Sequence, residues 1–207
     1  MSMASIEGNE WFIFENGIDE WGCNKIIQLG EDEWEKAAIG NDDDDEDKHS
    51  NGVVDPSIRK SDICWITENW LYELCYRYML EANKLAGWNL DIVAAEEVQL
   101  TRYKKGGHYD WHQDGFQDDV AAYDRQENPI LHGKVRKISM SLILNDDFEG
   151  GALEFVSHKH GETKIIPIVA KAGDMIFFTS GMEHRVAPVT RGVRYSLVNW
   201  FVGPPVR

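Results

Sequence analysis

Gly107-His108-Tyr109-Asp110-Trp111-His112-Gln113-Asp114 is the stretch around which the chain is organised. It follows the turn signal Lys105-Gly106-Gly107 and reads as a short β-strand, His108 to His112, running into a polar segment. Successive strand side chains point to opposite faces, so residues two apart share one. His112 and Asp114 are therefore expected to point into the same cavity. Imidazole and carboxylate together suit a divalent first-row metal. A single His-x-Asp pair is weak evidence, because a strand histidine is usually just a hydrogen-bonded polar side chain.

The surrounding sequence continues in the same period. From Trp88 onward, short β-rich runs follow one another: 97–103, 108–112, 137–144, 152–156, 164–169, 174–179, 184–189 and 194–202. Glycine-bearing turns separate them, among them Glu149-Gly150-Gly151, Ala172-Gly173-Asp174 and Arg191-Gly192. Eight strands after a helical region predict a mainly β protein with N-terminal helical support (α+β), rolled as a cupin-like jelly roll, or double-stranded β-helix. The expected organisation is one structural domain: support over 1–96, with an acidic loop at 40–50, and a β core over 97–207.

Within the support, Trp11-Phe12-Ile13-Phe14 reads as an edge strand. Ile18 to Leu29 reads as a helix with Asp19 as N-cap, Trp21, Ile26 and Leu29 on one face, and Gly30 as its end. Ile63 to Gly87 is expected to hold the main helix. Its stripe Leu71, Leu74, Cys75, Tyr78, Met79 and Ala82 has three- and four-residue steps, with Thr67 as N-cap and Gly87 as stop. Between the helices, Asp42-Asp43-Asp44-Asp45-Glu46-Asp47 predicts an exposed loop of repelling carboxylates; it lacks the spaced ligands and central glycine of a calcium loop. The polar segment Gly115 to Gly133 has no period. It begins beside His112 and Asp114, where a long connection is often a lid or recognition loop.

Composition narrows the function classes. A 207-residue chain suffices for one well-filled domain, and no run reaches the roughly 18 apolar residues of a membrane span. Met1 to Glu7 has no signal-peptide pattern, and three scattered cysteines (Cys23, Cys64, Cys75) read as buried reduced thiols, so a cytoplasmic location is expected. The net charge is −15, from 21 basic and 36 acidic residues, which counts against a nucleic-acid partner. Lys104-Lys105 and Lys134-Val135-Arg136-Lys137 read as solvated surface.

A third metal-ligand candidate, His184, stands near the end of the barrel pattern, where a rolled sheet can return it to His112 and Asp114. Two histidines and one carboxylate on one face of an iron leave the opposite face open. Alternation along Val193 to Val198 puts Arg194, Ser196 and Val198 on one side. A guanidinium facing into a barrel needs a negative partner. That partner is either one of the chain's many acidic side chains or a bound carboxylate, for which a guanidinium fork beside a hydroxyl is well shaped.

From about Glu97 to Pro204 the chain resembles the 2-oxoglutarate- and Fe(II)-dependent dioxygenases, most closely the prolyl-4-hydroxylase-like and PKHD-type hydroxylase branch. The resemblance rests on Tyr103-x-x-Gly106 leading to Tyr109-x-x-His112-x-Asp114, on Leu142-x-Leu144-Asn145, and on Gly150-Gly151-Ala152-Leu153-Glu154-Phe155. It continues in Gly173-Asp174-x-x-x-Phe178 and in His184-Arg185-Val186-x-Pro188-Val189-x-x-Gly192-x-Arg194-x-Ser196. It implies that His112, Asp114 and His184 bind Fe(II), and that Arg194, with Tyr103 and Ser196, holds the distal carboxylate of 2-oxoglutarate. It also implies O2 as co-reactant, ascorbate as reductant, and conversion of 2-oxoglutarate to succinate as a side chain is hydroxylated. The expected substrate is a prolyl side chain in a peptide or protein, with a free amino acid or other small molecule next. Collagen-type prolyl hydroxylases often carry lysine where this chain has Arg194. Tyr109, His108, Trp111 and Arg185 are further candidates for substrate or second-shell contact, although alternation turns Tyr109 away from His112 unless a bulge re-aims it. A cupin-like metal-binding sensor without turnover is the rival class, and a carboxylate clamp argues against it.

Overall fold

A computed structural model describes residues 10–30, 34–39, 53–115, 122, 128–158 and 162–205. The acidic run and most of the 115–133 segment lie outside them. In chain order the elements are β1 (Trp11–Phe14), α1 (Glu20–Leu29), β2 (Glu35–Lys36), β3 (Arg59–Lys60), β4 (Asp62–Ile66), α2 (Asn69–Leu85), β5 (Ala94–Ala95), β6 (Val98–Tyr103) and β7 (His108–His112). They continue with β8 (Val135–Ile143), β9 (Glu149–Gly150), β10 (Leu153–Ser157), β11 (Lys164–Pro167), β12 (Met175–Thr179), β13 (His184–Val186), β14 (Val189–Arg191) and β15 (Arg194–Gly203).

Among these residues a major antiparallel sheet runs β1-β12-β8-β15-β6-β4-β2, with β5 added to β15. A minor sheet runs β11-β10-β13-β7-β3, and β9 and β14 form a separate pair. This is the double-stranded β-helix expected from the strand pattern. The eight expected core strands are all present, the 108–112 strand with the expected ends and the others with shifted ones. The 184–189 run splits into β13 and β14 around Ala187-Pro188, where proline has no N–H to give to a ladder.

Two apolar layers explain why consecutive residues of the central strands are buried. On β12, Met175 and Phe177 join the cluster under the helices, whereas Ile176 and Phe178 join a second cluster inside the roll with Ile143, Leu153, Phe155 and Met182. On β8, Ile138, Met140 and Leu142 go to the helix side. Helix α2 covers that side with Leu71, Cys75, Met79 and Ala82, all completely buried. Each large side chain taken fully out of water contributes about 1.5–3 kcal/mol. The opposite face of the same strands is polar in one region: Gln99, Thr101, Ser139, Ser141, Arg194 and Ser196 are all buried. Burying so many polar groups costs stability unless they are partnered, so this wall marks the site.

The support half departs from expectation in three places. The stretch before the expected cap Thr67, for which no strand was expected, is strand β4, because Asp62-Ile63-Cys64-Trp65-Ile66 pairs along β6 and buries Ile63, Cys64 and Ile66. The helix begins at Asn69, with Glu68 rather than Thr67 as cap residue and no side-chain cap bond. Gly87 does lie just beyond the helix end, at φ 74°. In α1, Asp19 caps Gly22 N–H at 2.8 Å as expected. Trp21, however, is 71% exposed, because it lies five residues, or 140° of helix turn, from the buried Ile26.

Cys23, Cys64 and Cys75 are free and buried. No helix among the described residues is long and apolar enough to cross a membrane.

Candidate active site

His112 closes β7 and His184 opens β13, and the two face each other in the ladder between these strands. Asp114 sits two residues past the end of β7, where its backbone N–H donates to Ser180 O at 3.0 Å. That bond turns the chain so that the carboxylate lies between the two rings. Asp114 Oδ1 is 3.7 Å from His112 Nε2, and Oδ2 is 3.6 Å from His184 Nε2. One ligand atom from each of the three residues lies within 4.8 Å of the others.

The ring nitrogens are oriented from behind. His112 Nδ1 meets Asp110 O at 2.7 Å, and His184 Nδ1 meets Met182 O at 2.8 Å. A carbonyl only accepts, so each Nδ1 carries the proton and each Nε2 lone pair is left facing its neighbours. Burial, reinforced by repulsion from His184, pushes His112 down to about 4. Burial alone would raise Asp114, but the His184 and His112 imidazoles, Arg136 and the Ser139 hydroxyl together hold it below its usual range. Two neutral imidazoles and one carboxylate, with their free lone pairs converging, fit a divalent cation.

Arg194 lies deeper in the same cavity and is 1% exposed. Its Nη1 donates to Ser196 Oγ at 2.8 Å, its guanidinium carbon is 5.4 Å from the Tyr103 ring centre, and Nη2 has no hydrogen-bond partner. Burial lowers the Arg194 pKa, against the pull of Tyr103. No acidic side chain among the described residues pairs with this guanidinium, so none of them fills the role that the sequence left open for a carboxylate of the chain. A buried cation with an orphaned N–H fits an incoming carboxylate.

Tyr109 is the finding that alternation did not predict. Val186 pairs with Tyr109 and His184 with His112, so β7 has one residue more than β13 between the two pairs. This bulge turns Tyr109 inward to stack on the His112 ring, with centroids 3.5 Å apart. The same insertion takes His108 out of the cavity, despite the parity it shares with His112 in the sequence. Its Nδ1 and Nε2 instead meet Gly106 O and Ser57 O at 3.2 and 3.1 Å. Trp111 and Arg185 are likewise not among the cavity-lining residues. Arg185 stacks over Trp111 at 4.6 Å and binds Glu154 at 2.6 Å.

Several lining residues were missed, among them Trp200, Gln99 and Arg59. Trp200 continues the Arg194, Ser196, Val198 alternation and could have been read from it. Gln99 is on the inward parity of β6, two residues before Thr101 and four before Tyr103. Arg59 stands on a two-residue strand too short to recognise; its guanidinium lies 4.6 Å from the Tyr109 ring and donates to Gln99 Oε1 at 2.7 Å. The cavity holds about 440 Å³. It adjoins a wider cleft of about 1680 Å³ walled by Trp65, Tyr72, Glu97 and Ile130, with Arg59, Gln99, Tyr109, Asp114 and Trp200 common to both. Asn128, Ile130 and Leu131 bring the described end of the 115–133 segment to this cleft.

A family model described as the 2OG-Fe(II) oxygenase superfamily matches residues 98–202. A PKHD-type hydroxylase of Xylella fastidiosa (strain M12) is 35% identical over 105 residues, which is 49% of this chain but only 42% of the relative's length. A prolyl-4-hydroxylase from Pseudomonas putida shares the fold at TM-score 0.63 and 24% identity, over 93% of this chain and 91% of its own. A viral collagen prolyl hydroxylase from Paramecium Bursaria Chlorella virus-1, solved with 2OG, does so at TM-score 0.64 and 19% identity, over 97% and 99%.

Proposed function

Because this chain belongs to the 2OG-Fe(II) oxygenase superfamily, we propose that it is an Fe(II)- and 2-oxoglutarate-dependent hydroxylase acting on a prolyl side chain of a peptide or protein. Residues 97–207 are its catalytic core and 1–96 the support. The observation that carries the reading is Arg194: a fully buried guanidinium sharing the cavity of the His112, Asp114 and His184 cluster, with Nη2 unpartnered and, among the described residues, no acidic side chain paired to it. A passive metal box has no use for such a group.

His112, Asp114 and His184 would hold the iron, and Arg194, Ser196 and Tyr103 the distal carboxylate of 2-oxoglutarate. Bound there, the pair supplies the oxidising chemistry, in which O2 is consumed, 2-oxoglutarate becomes succinate and carbon dioxide, and a substrate C–H becomes C–OH. The protein's part is orientation. The Asp110 and Met182 carbonyls fix both imidazoles, and Ser196 fixes one arm of the Arg194 fork. Leu153, Phe178 and Val186 line the cavity with apolar surface, which excludes water and strengthens the charge–charge contact at Arg194. The cleft outside, several times larger than the cavity, suits a polypeptide segment better than a free amino acid. The names of the structural relatives, prolyl and collagen prolyl hydroxylases, support the same choice. Ascorbate as reductant and a cytoplasmic location, with the three reduced thiols, complete the reading.

Anaerobic titration with Fe(II) and 2-oxoglutarate tests it. The expected result is a weak visible charge-transfer band, followed by succinate on exposure to air. The band and turnover should vanish in His112→Ala and Asp114→Ala; their survival would remove the metal assignment. A peptide screen read by a gain of one oxygen then identifies the substrate.

A further inference from the structure

Beside the cleft, β2, β3, β4 and the turn after β6 enclose a depression of about 570 Å³. Its lining includes Lys36, Arg59, Lys60, Arg102, Lys104 and Lys105, and a single acid, Asp62. The chain as a whole has 36 acidic and 21 basic residues. More than a quarter of its cations thus converge on one concavity, from three separate stretches of sequence. We propose that this depression is an exosite for an acidic stretch of the polypeptide whose side chain enters the cavity, a proposal that rests on the reading of the chain as a peptide or protein hydroxylase.

The cations are built in rather than scattered. Asp62 is buried beneath them, and Lys36, Arg102 at 2.9 Å and Lys104 at 3.1 Å all bind its carboxylate. Arg102 also stacks 4.1 Å over Trp34. Burial pushes Asp62 up, but the three cations outweigh it and bring the carboxyl down to about 2. One carboxylate neutralises one of six positive charges. Lys60 and Lys105 are exposed and have no acidic partner among the described residues. Lys104, which the sequence suggested was plain solvated surface, is 61% exposed yet anchored, so its remaining N–H donors face outward from a fixed position.

Two features decide the class of ligand. Four of the six cations are lysines, which act as separate point charges and suit carboxylates spaced along an extended chain rather than one planar anion gripped by a fork. The depression is also continuous with the active cleft: Arg59 lines both, and Ala37 in the one is followed directly by Ala38 in the other. An extended polypeptide lying in the cleft therefore reaches the depression a few residues from its target side chain. Elsewhere, a chain with net charge −15 repels an acidic segment, which makes this local attraction selective.

The test uses the full chain and fluorescein-labelled hexaglutamate, read by anisotropy. Binding is expected at 50 mM salt and should weaken roughly tenfold by 200 mM, as screening predicts for exposed charges. Lys60→Glu with Lys105→Glu should reduce binding at least tenfold, and the milder pair Lys60→Ala with Lys105→Ala by less. Both should leave the anaerobic Fe(II) and 2-oxoglutarate band unchanged. Equal binding by wild type and the Glu pair would overturn the exosite. So would preference for hexalysine, or displacement by equimolar pyrophosphate, which marks a small-anion pocket. Binding that appears only after Asp42 to Asp45 are changed to Asn would overturn it in favour of the chain's own acidic run. Hexaglutamate binding without any charge-transfer band in wild type would sink the hydroxylase reading; the band without peptide binding would sink only the exosite.

Discussion

His112 and His184 stand opposite each other on neighbouring antiparallel strands, with ring centroids 4.2 Å apart. Each points its Nε2 at one oxygen of Asp114. In the metal-free protein the burial of His112, reinforced by His184 beside it, makes stability fall with acid. An unfolded histidine titrates near 6.5, whereas folded His112 titrates at about 4. Between those values the unfolded chain binds the extra proton, so stability is full above about pH 6.5 and falls as pH drops toward 4, by on the order of 3 kcal/mol. Asp114, held below its usual range, loses its own contribution only below about pH 4, outside this window. Urea melts of metal-free protein from pH 7.5 to 4.5 measure the slope, and His112→Gln should flatten it.

Metal should reverse that loss. Near neutral pH, a divalent ion at about a hundred times its Kd stabilises the folded state by about 2.7 kcal/mol. Mn(II) should therefore raise the Tm of wild type by several degrees and leave that of His184→Ala unmoved. An equal rise in the variant would place the metal elsewhere.

Arg194 separates stability from binding. A buried, uncompensated cation destabilises the apo fold, so Arg194→Met should melt at the same temperature as wild type or above it. The same change should weaken 2-oxoglutarate binding by about 2–5 kcal/mol, because it removes one partner of a desolvated charge pair. Calorimetric titration with the metal-loaded variant checks the second effect, and a variant that binds normally would remove the clamp. Arg194→Lys should restore binding only in part, since an ammonium cannot supply the planar fork.

Gly151 ties a turn to that clamp. It has φ 63°, and a Cβ there would lie 2.9 Å from Val189 Cγ2 and 3.0 Å from Arg194 Cδ. Gly151→Ala should destabilise the protein by about 1–3 kcal/mol through backbone strain and displacement of neighbours. It should also loosen 2-oxoglutarate binding several-fold. Gly133→Ala is the control: it has a similar φ, 69°, but nothing within 4 Å, so it should lose stability without affecting binding.

Arg185 should matter least of the polar residues suggested by sequence. Its ion pair with Glu154 is partly exposed, and such pairs contribute about 0–1 kcal/mol. Arg185→Ala should leave metal and 2-oxoglutarate binding intact in the same titrations.

The ligand types and their order were legible in the sequence because strand alternation and turn chemistry are local. His112 and Asp114 two residues apart, Arg194 and Ser196 two residues apart, and glycine-marked strand ends needed no knowledge of the partner strands. The same rule carried on to Trp200 names another wall of the cavity. It failed for Tyr109 and His108, because a bulge is a mismatch between two strands and has no signature in either alone. It missed β4, because the pairing of Asp62 to Ile66 with β6 depends on a strand distant in sequence.

The stretch from Gly107 to Asp114 therefore determined by itself that two metal-type ligands share a strand end. Only the tertiary structure brought His184 opposite them, left Arg194 buried without an acidic partner among the described residues, and gathered six cations around Asp62 in a chain of net negative charge. Side-chain direction along a strand depends on a residue's immediate neighbours. Burial, register and local electric field depend on which distant strands close the roll.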